Sequence, residues 1–302
     1  MSIAVECPFC QKNINNPPFI SKRTKETVEH ASQFDCSSMG HHHHNDIYRC
    51  GRCDLGFLWP LPVNTELEDS YANVVDDTYL NEKEARYRTF AHALKVMSGF
   101  KDEGDMLEIG SYAGYFMDLA QQQGFKVTGV EPSHWASDFA QQEFGHEVIQ
   151  GAFGPEMAST ELAGRKYDAI VAWDVLEHVH DPVSFLKTVD GLLKPNGIFA
   201  FSTLNVDSWF PKVLGKRWPW YMQMHLYYFT LQSLSSLLWQ NGMSMIHQEP
   251  YHHIISANYF VKKIETLLGI PLPVPSAFKK SFDTIFIPFH FGDIVLVVAR
   301  KR

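Results

Sequence analysis

The sequence predicts an α/β protein with a seven-stranded, mostly parallel sheet covered by helices on both faces, preceded by a small cysteine-bearing module. From about residue 105 onward, short apolar runs alternate with segments of helical periodicity, as in a parallel sheet. The run 167–173 is almost continuously apolar, which is typical of a strand buried on both faces. Four of the five cysteines fall in two C-x-x-C pairs within the first 53 residues, which indicates a separate module there.

The predicted strands are short and follow one another in regular order. They cover residues 106–109, 127–131, 147–150, 167–173, 198–203, about 243–248, and 294–299. Helices are predicted at about 81–98, 115–123, 133–144, 182–193 and 231–241. Asp181 before Pro182, and Thr230 before an apolar stripe, are side chains that begin helices. This alternation predicts that both faces of the sheet are covered.

The chain is long enough for one large and one small unit. We expect residues 1–75 to form the cysteine-bearing module and a proline-stiffened connector, and residues 76–302 to form the α/β domain. An aromatic-rich insertion at about 204–230 follows the fifth strand, and it is placed to cover the domain's binding face.

The most informative stretch is 107–114, where a buried strand breaks into a glycine turn before a helix. Gly110 and Gly114 are spaced G-x-x-x-G, and such a turn lets a ligand approach the backbone. The dinucleotide pattern G-x-G-x-x-G is not met, and the loop has no Lys or Arg to hold phosphate. Glu131 ends the next strand, where an acid can accept ribose hydroxyls. The pattern favours a nucleoside without phosphate, such as S-adenosylmethionine, over a NAD site; the alternative is a tight turn that binds nothing.

The cysteine pairs predict a structural zinc site. In a reducing compartment, two C-x-x-C pairs favour metal over disulfides, and zinc takes four sulfur ligands. Buried free thiols are the alternative; a redox role is disfavoured because no thioredoxin-like βαβ unit surrounds either pair. Cys36 is left without an assignment, and the four histidines at 41–44 are interpreted as a solvated loop outside the function. The expected zinc ligands are Cys7, Cys10, Cys50 and Cys53.

The overall charge and hydropathy narrow the classes of partner. The formal net charge of -8 argues against nucleic acid, whose binders usually present a basic face. No apolar run approaches the roughly 20 residues that span a bilayer. The N-terminus lacks the basic and apolar regions of a signal peptide. We therefore expect a cytoplasmic protein acting on a small molecule, with homodimerisation left open.

Five segments together resemble the class I S-adenosylmethionine-dependent methyltransferases, in the branch that carries an N-terminal zinc ribbon. They are 107–114, 127–133, 173–182, 225–230, and the pair Cys50 and Cys53 followed by Phe57, Pro60, Pro62 and Tyr71. The resemblance covers nearly the whole chain and rests on the order and spacing of the segments. It implies a Rossmann-like fold, S-adenosylmethionine as methyl donor and structural Zn²⁺. The implied acceptor is a small molecule, such as a sugar nucleotide, a glycan precursor or a natural product.

The resemblance also implies the donor-binding residues, at the carboxyl ends of the strands. Glu131 is expected to take the ribose hydroxyls, with Ala152 and Phe153 near the adenine. Trp173 and Asp174 are expected to flank the methionine tail, although Trp173 would also suit plain core packing. The full expected set is Glu108, Gly110, Tyr112, Gly114, Glu131, Pro132, Ala152, Phe153, Trp173 and Asp174.

His225 and His178 are the catalytic candidates. Methyl transfer from a sulfonium is an in-line displacement in which the protein positions two reactants and excludes water. Imidazole is suited to taking a proton from the acceptor at neutral pH. His225 is preferred because the segment 205–230 can fold over the donor. For both residues the alternative is a histidine that only makes structural hydrogen bonds.

Two rival classes remain open at this level. One is an RNA methyltransferase that binds nucleic acid through the zinc ribbon. The other is a donor-binding or interaction module that does not catalyse methyl transfer. The acidic charge disfavours the first. Whether oxygen, nitrogen or carbon is methylated is left open.

Overall fold

The computed structural model describes residues 5–23, 43–268, 270, 282 and 284–302. Cys36 and the first two histidines of the run at 41–44 lie outside the described residues. His44 is buried, and its backbone forms a β-bridge with Arg23. Its ring lies 6.2 Å from that of Tyr221, between ring centres. For His44 the expectation of a solvated loop was therefore wrong, because the bridge to Arg23 holds it against the protein.

The N-terminal module consists of two hairpins. Strand β1 (Val5–Glu6) pairs with β2 (Asn13–Ile14), and β3 (Asp46–Arg49) pairs with β4 (Gly56–Trp59), both antiparallel. The short strand β10 (Tyr227–Tyr228), from the predicted insertion, joins the free edge of β4. A Cβ at Gly56 would lie 2.9 Å from the Cβ of Tyr228, so glycine permits this close approach. The module and the insertion thus share one sheet.

Three helices connect the module to the central sheet: α1 (Asn64–Ala72), α2 (Asp77–Asn81) and α3 (Lys83–Ser98). The third matches the predicted helix at 81–98. The first two were not predicted, since α1 is largely polar and Leu67 is its one buried residue among those described. Asp76 begins α2 by accepting a hydrogen bond from the Tyr79 amide.

The central sheet has seven strands within the described residues, which confirms the predicted fold class. In chain order they are β5 (Gly104–Ile109), β6 (Phe125–Glu131), β7 (Glu147–Gln150), β8 (Tyr167–Trp173), β9 (Leu193–Leu204), β11 (Met243–Pro250) and β14 (Ile294–Lys301). Their spatial order is β11-β14-β9-β8-β5-β6-β7. The strands from β5 to β9 are mutually parallel, whereas β14 is antiparallel to both of its neighbours.

Helices follow most of the strands. They are α4 (Tyr115–Gln123), α5 (His134–Phe144), α6 (Pro155–Ser159), α7 (Pro182–Leu192), α8 (Trp209–Leu214) and α9 (Leu231–Gln240). The predicted caps are confirmed: Asp181 accepts from two amides of α7, and Thr230 forms a capping box with Ser233. The apolar strands β8 and β9 are buried between the helical layers and form the centre of the core.

A small unit that was not predicted packs beside the end of the sheet. Strand β12 (His253–Ser256) pairs with β13 (Phe286–Phe289), and α10 (Ala257–Leu268) follows β12. Helix α3 packs against β12, where the Ile254 amide donates to the Thr89 hydroxyl at 2.8 Å. In the parts of the chain that the structure describes, none of the helices combines the length and the apolarity needed to cross a bilayer.

Candidate active site

A cavity of about 600 Å³ opens at the carboxyl ends of β5, β6 and β8. The strand order reverses between β5 and β8, which is where open α/β sheets bind their ligands. The volume lies in the usual range for small-molecule sites. The cavity is lined by nine of the ten predicted donor-binding residues and by both predicted catalytic histidines: Glu108, Gly110, Tyr112, Glu131, Pro132, Ala152, Phe153, Trp173, Asp174, His178 and His225.

The two glycines of the motif have different places. Gly110 lines the cavity with a φ of +72°, and a Cβ there would lie 2.7 Å from a methyl carbon of Val175. Gly114 begins α4 with a φ of +78°, and a Cβ there would lie 2.9 Å from the Cβ of Ala140 on α5. Gly114 is not among the described residues that line the cavity, so it shapes the start of α4 and its packing rather than the wall.

Glu131 is held at the end of β6 by two backbone amides. The Tyr112 amide donates to one carboxylate oxygen and the Ser133 amide to the other, each at 2.8 Å. The side chain is buried, and burial raises the pKa of Glu131 to about 7, although these two hydrogen bonds lower it. Each oxygen retains acceptor capacity toward the cavity, which is the geometry that a pair of ribose hydroxyls requires.

Glu108 carries a buried oxygen, Oε2, with no hydrogen-bond partner among the described residues. Burial, and secondarily the nearby Glu131 carboxylate, hold the pKa of Glu108 well above its usual range. An unpaired buried carboxyl group is costly unless a ligand supplies a donor or a positive charge. The ammonium and sulfonium groups of S-adenosylmethionine supply such groups, so this wall of the cavity fits the donor.

Trp173 both packs in the core and faces the cavity. Its ring lies parallel to that of Tyr251, with 6.1 Å between centres, and 5.0 Å from that of Phe116. Its Nε1 is buried without a hydrogen-bond partner among the described residues. Core packing and a ligand contact are therefore compatible at this position.

Asp174 ends β8 in a left-handed backbone conformation, with a φ of +54°. A non-glycine residue is strained there, by about 1–3 kcal/mol. Ser202 on the neighbouring strand stabilises this conformation with two hydrogen bonds. Its hydroxyl donates to Asp174 Oδ1 at 2.7 Å and accepts from the Asp174 amide at 2.8 Å. In this conformation the backbone turns away from the direction of β8, and Asp174 and Val175 form part of the cavity wall.

The two catalytic candidates lie face to edge, with 4.8 Å between ring centres. His225 Nδ1 lies 2.7 Å from the Trp220 carbonyl oxygen, and His178 Nδ1 lies 2.9 Å from that of Met224. A carbonyl only accepts, so Nδ1 carries the proton in both rings and Nε2 is left as a proton acceptor. Burial lowers the pKa of His178 to about 4 and that of His225 well below its usual range, so both are neutral at physiological pH.

The loop that carries His225 is fixed by buried contacts that the sequence did not reveal. The indole nitrogens of Trp218 and Trp220 donate to the same oxygen of Asp293, at 2.9 and 3.0 Å. The Leu226 amide donates to the Glu177 carbonyl, and the Leu226 carbonyl accepts from the Leu58 amide in β4. The aromatic insertion is therefore an ordered wall, tied to the N-terminal module on one side and to β14 on the other.

Glu177 and Tyr71 were not predicted as site residues. Glu177 is buried, accepts from the Thr203 hydroxyl at 2.8 Å, and has its pKa raised to about 8 by burial and by the nearby Asp174. The Tyr71 hydroxyl lies 2.8 Å from His178 Nδ1. Glu177 directly precedes His178 in the segment 173–182, so its position in that motif could have identified it as a site residue. Tyr71 lies on the unpredicted helix α1, and only the tertiary fold brings it here.

The lining of the cavity is strongly acidic. Arg86, on α3, is the one lining Lys or Arg among the described residues, and its guanidinium lies 4.4 Å from the centre of the Tyr79 ring. Against it stand seven carboxylic acids: Glu68, Glu82, Glu108, Glu131, Asp174, Glu177 and Asp181. Burial raises the pKa of Glu108, Glu131 and Glu177, so these three are not fully ionised at neutral pH. The other four acids still outnumber the one arginine, which favours a cationic donor over a polyanionic acceptor.

Two groups of side chains near this region could hold a metal ion. Glu177, His178 and His225 each offer a ligand atom, and these atoms lie within 4.8 Å of one another in the cavity wall. The second group is the predicted zinc set, which is brought together as expected. Its sulfur pairs Cys7–Cys53 and Cys10–Cys50 are 3.6 and 3.5 Å apart, close to the edge of about 3.8 Å of a tetrahedron with Zn–S bonds of about 2.3 Å. All four are free thiols.

The chain is similar to several known proteins. Two ubiquinone biosynthesis O-methyltransferases match parts of it: that of Histophilus somni is 32% identical over 121 residues, covering 37% of this chain and 51% of that protein. That of Bordetella avium is 35% identical over 115 residues, covering 37% and 47%. The chain thus spans about half the length of the curated relatives it matches.

Two solved structures share the fold. One is the magnesium protoporphyrin IX methyltransferase of Synechocystis PCC 6803 with bound S-adenosylhomocysteine, at a TM-score of 0.50 and 14% identity, covering 80% of this chain and 100% of that one. The other is the Haloferax volcanii complex of the Trm112 methyltransferase activator with a putative methyltransferase, at 0.50 and 16%, covering 80% and 99%. A family model described as a methyltransferase domain matches residues 82–248, more than half of the chain. The chain therefore belongs to the methyltransferase-domain family, and its fold is that of the class I S-adenosylmethionine-dependent methyltransferases.

Proposed function

We propose that this chain transfers a methyl group from S-adenosylmethionine to a hydroxyl oxygen of a small, unphosphorylated acceptor, with His225 as the general base. The observation that carries the proposal is the pair of neutral histidines in the wall of the strand-end cavity. Both rings are fixed through Nδ1 by backbone carbonyls, which leaves Nε2 to accept a proton. A hydroxyl needs such help, because its oxygen becomes a strong nucleophile only as the proton leaves.

The donor site rests on three features of this chain. Glu131, oriented by two amides, would accept the ribose hydroxyls, and Gly110 would let the ligand approach β5. The buried Oε2 of Glu108 would gain the hydrogen-bond partner that it lacks among the described residues. When bound, the donor supplies an electrophilic methyl group on a sulfonium. The residues of the chain hold it in line with the acceptor and exclude water.

The charge of the cavity selects the acceptor. Among the described residues, seven carboxylic acids and one arginine line the cavity. Burial raises the pKa of Glu108, Glu131 and Glu177, so these three are not fully ionised at neutral pH, yet the other four acids still outnumber the arginine. A nucleoside diphosphate or an RNA strand would therefore find few cationic partners in this wall. This disfavours two of the acceptor classes considered from the sequence, the sugar nucleotide and RNA. Aromatic side chains, including Phe153, Trp220 and Tyr251, favour a flat or ring-shaped acceptor. The O-methyltransferase names of the matched relatives support oxygen as the methylated atom.

We further propose that the four cysteines hold one structural Zn²⁺. Four protein ligands leave no open position for a substrate, so the ion would act by fixing the two hairpins. Through the pairing of β4 with β10, those hairpins support the loop that carries His225. Free thiols arranged around a metal also suit the reducing environment of the cytoplasm.

The test is an acceptor screen with S-adenosylhomocysteine release as the readout. Panels of catechols and other phenols, of sugar nucleotides, and of short RNA are offered to the zinc-loaded chain. We expect turnover with members of the phenol panel, and turnover lower by about 10²–10⁴-fold when His225 is replaced by Gln. Preferred turnover of RNA or of sugar nucleotides would contradict the proposal.

The same assay separates the histidine base from a cation at Glu177, His178 and His225. With a base alone, turnover with the best acceptor is unchanged when Mg²⁺ is added or withheld. A strict requirement for added Mg²⁺ would instead assign this group of ligands to a catalytic cation.

A further inference from the structure

A third cluster of side chains that could bind a metal lies outside the cavity, where helix α3 meets the end of β11. His92 Nε2 is 2.8 Å from Glu249 Oε1, and the ring centres of His92 and His252 are 4.9 Å apart. One ligand atom from each of His92, Glu249 and His252 lies within 4.8 Å of the other two. None of the three lines the cavity, and the proposed methyl transfer uses none of them.

The surroundings of the cluster add further imidazoles. His247 Nε2 lies 3.1 Å from the second oxygen of Glu249, and the ring of His290 lies 4.4 Å from that of His252. Four histidines thus gather around one carboxylate, although a single carboxylate balances the charge of only one imidazolium. Such an excess of imidazole is better suited to a shared cation than to simple ion pairing.

We propose that His92, Glu249 and His252 bind one divalent transition-metal ion of the zinc and nickel class. Imidazole and carboxylate are the ligands that these ions accept, at bond lengths of about 2.0–2.2 Å. The side chains of His92 and Glu249 are 36% and 27% exposed, so water can reach the ion and complete its coordination. His247 holds the free oxygen of Glu249 and so orients the carboxylate toward the ion.

The place of this site in the fold gives the ion a role. Helix α3 supplies Arg86, Thr89 and Phe90 to the cavity wall, and the chain directly after His252 supplies His253 and Ile254. These two segments meet through the hydrogen bond between Thr89 and the Ile254 amide. A metal ion bound by His92 and His252 ties the same two segments together one turn of α3 away. It thereby stiffens one wall of the cavity without touching a ligand in it.

Nickel is the probe. One equivalent of Zn²⁺ is added first and fills the four-thiolate site, which is the preferred zinc site, and Ni²⁺ is then offered to the imidazole ligands. Every protein in the experiment has the four histidines at 41–44 replaced by Asn, which removes the other imidazole run. His252→Gln and Glu249→Gln each remove one ligand. His134→Gln is the matched control, since His134 is exposed on α5, outside the described metal clusters.

Calorimetric titration is expected to give one Ni²⁺ per chain for the parent and for His134→Gln. In His252→Gln and Glu249→Gln the affinity for Ni²⁺ should fall by about 10- to 100-fold or more. Loss of a residue that only hydrogen-bonds to a metal ligand already costs that much affinity, and these two residues are ligands themselves. Ni²⁺ should also raise the melting temperature of the parent and of the control, and not of the two ligand variants. Unchanged affinity in both ligand variants, or an equal loss in the control, would overturn the proposal. So would an absence of Ni²⁺ binding in the parent, in which the run at 41–44 is already replaced.

Discussion

His178 and His225 stand face to edge in the cavity wall, with 4.8 Å between ring centres, and each is held through Nδ1 by a backbone carbonyl of the same loop. The two carbonyls belong to Met224 and Trp220. Burial lowers the pKa of both rings, and the neighbouring His178 lowers the pKa of His225 further. The pair therefore remains neutral and ready to accept one proton, which is the state that a hydroxyl acceptor requires.

Replacing His225 by Gln should lower turnover by about 10²–10⁴-fold, the usual contribution of a general base. Donor affinity should stay within about twofold, because the donor contacts come from β5, β6 and β8. Turnover is measured in activity assays, and affinity for the donor site is measured by calorimetry with S-adenosylhomocysteine, both on the same variant. His178→Gln serves as the comparison, and its loss of turnover should be the smaller if His225 is the base. If donor binding collapses in His225→Gln while the fold holds, then His225 belongs to the donor site.

Glu131→Gln should weaken donor binding, since each hydrogen bond to a charged group contributes about 1.5–3 kcal/mol. In the proposed donor site it is the carboxylate form that would accept both ribose hydroxyls, and burial raises the pKa of Glu131 in the folded protein to about 7. Donor affinity should therefore rise as the pH rises through 7, by up to about tenfold between pH 6 and pH 8. The pH dependence should be reduced in Glu131→Gln. Calorimetry at several pH values measures the donor affinity. An affinity in the wild type that does not change with pH would contradict the proposed role of Glu131.

The sequence predicted the elements whose residues carry their own signals. The strand from 167 to 173 has the same bounds in the structure, because all of its residues except Asp168 are apolar. Asp181 and Thr230 begin their helices as predicted, since capping is a local interaction. Nine of the ten proposed donor-binding residues line one cavity, because parallel strands bring their carboxyl ends to one edge of the sheet.

The residues that the sequence did not reveal act through tertiary contacts. Tyr71 reaches His178 across 107 positions of the chain, and the indoles of Trp218 and Trp220 meet Asp293 across more than 70. Helix α1 has no continuous apolar stripe, so its periodicity gives little sign of it. The histidine cluster on α3 and β11 is formed by residues more than 150 positions apart, which no spacing rule connects.

Cys50→Ser should release the proposed zinc and also lower turnover. Cys50 is fully buried between β3 and β4, and a structural zinc site supplies folding energy directly. Because β4 pairs with β10, loosening the hairpin should disturb the loop of His225 more than the donor site. Elemental analysis of the chain with Asn at 41–44 should give about one zinc per chain in the parent and in Cys36→Ser, the matched control. Retention of zinc in Cys50→Ser would show that other residues hold it.

Asp293→Ala should destabilise the protein and impair turnover together. Two indole nitrogens donate to one oxygen of Asp293, and Trp218 is fully buried, so the substitution removes the acceptor that both indoles share. The cost should be roughly 2–4 kcal/mol in the free energy of unfolding, measured by urea denaturation. Turnover should fall because the Trp220 carbonyl positions His225, while donor affinity should change little. Asp293→Asn retains an oxygen at the same place and should recover much of both losses. Equal damage in the two variants would mean that the negative charge of Asp293, rather than its position as an acceptor, holds the loop.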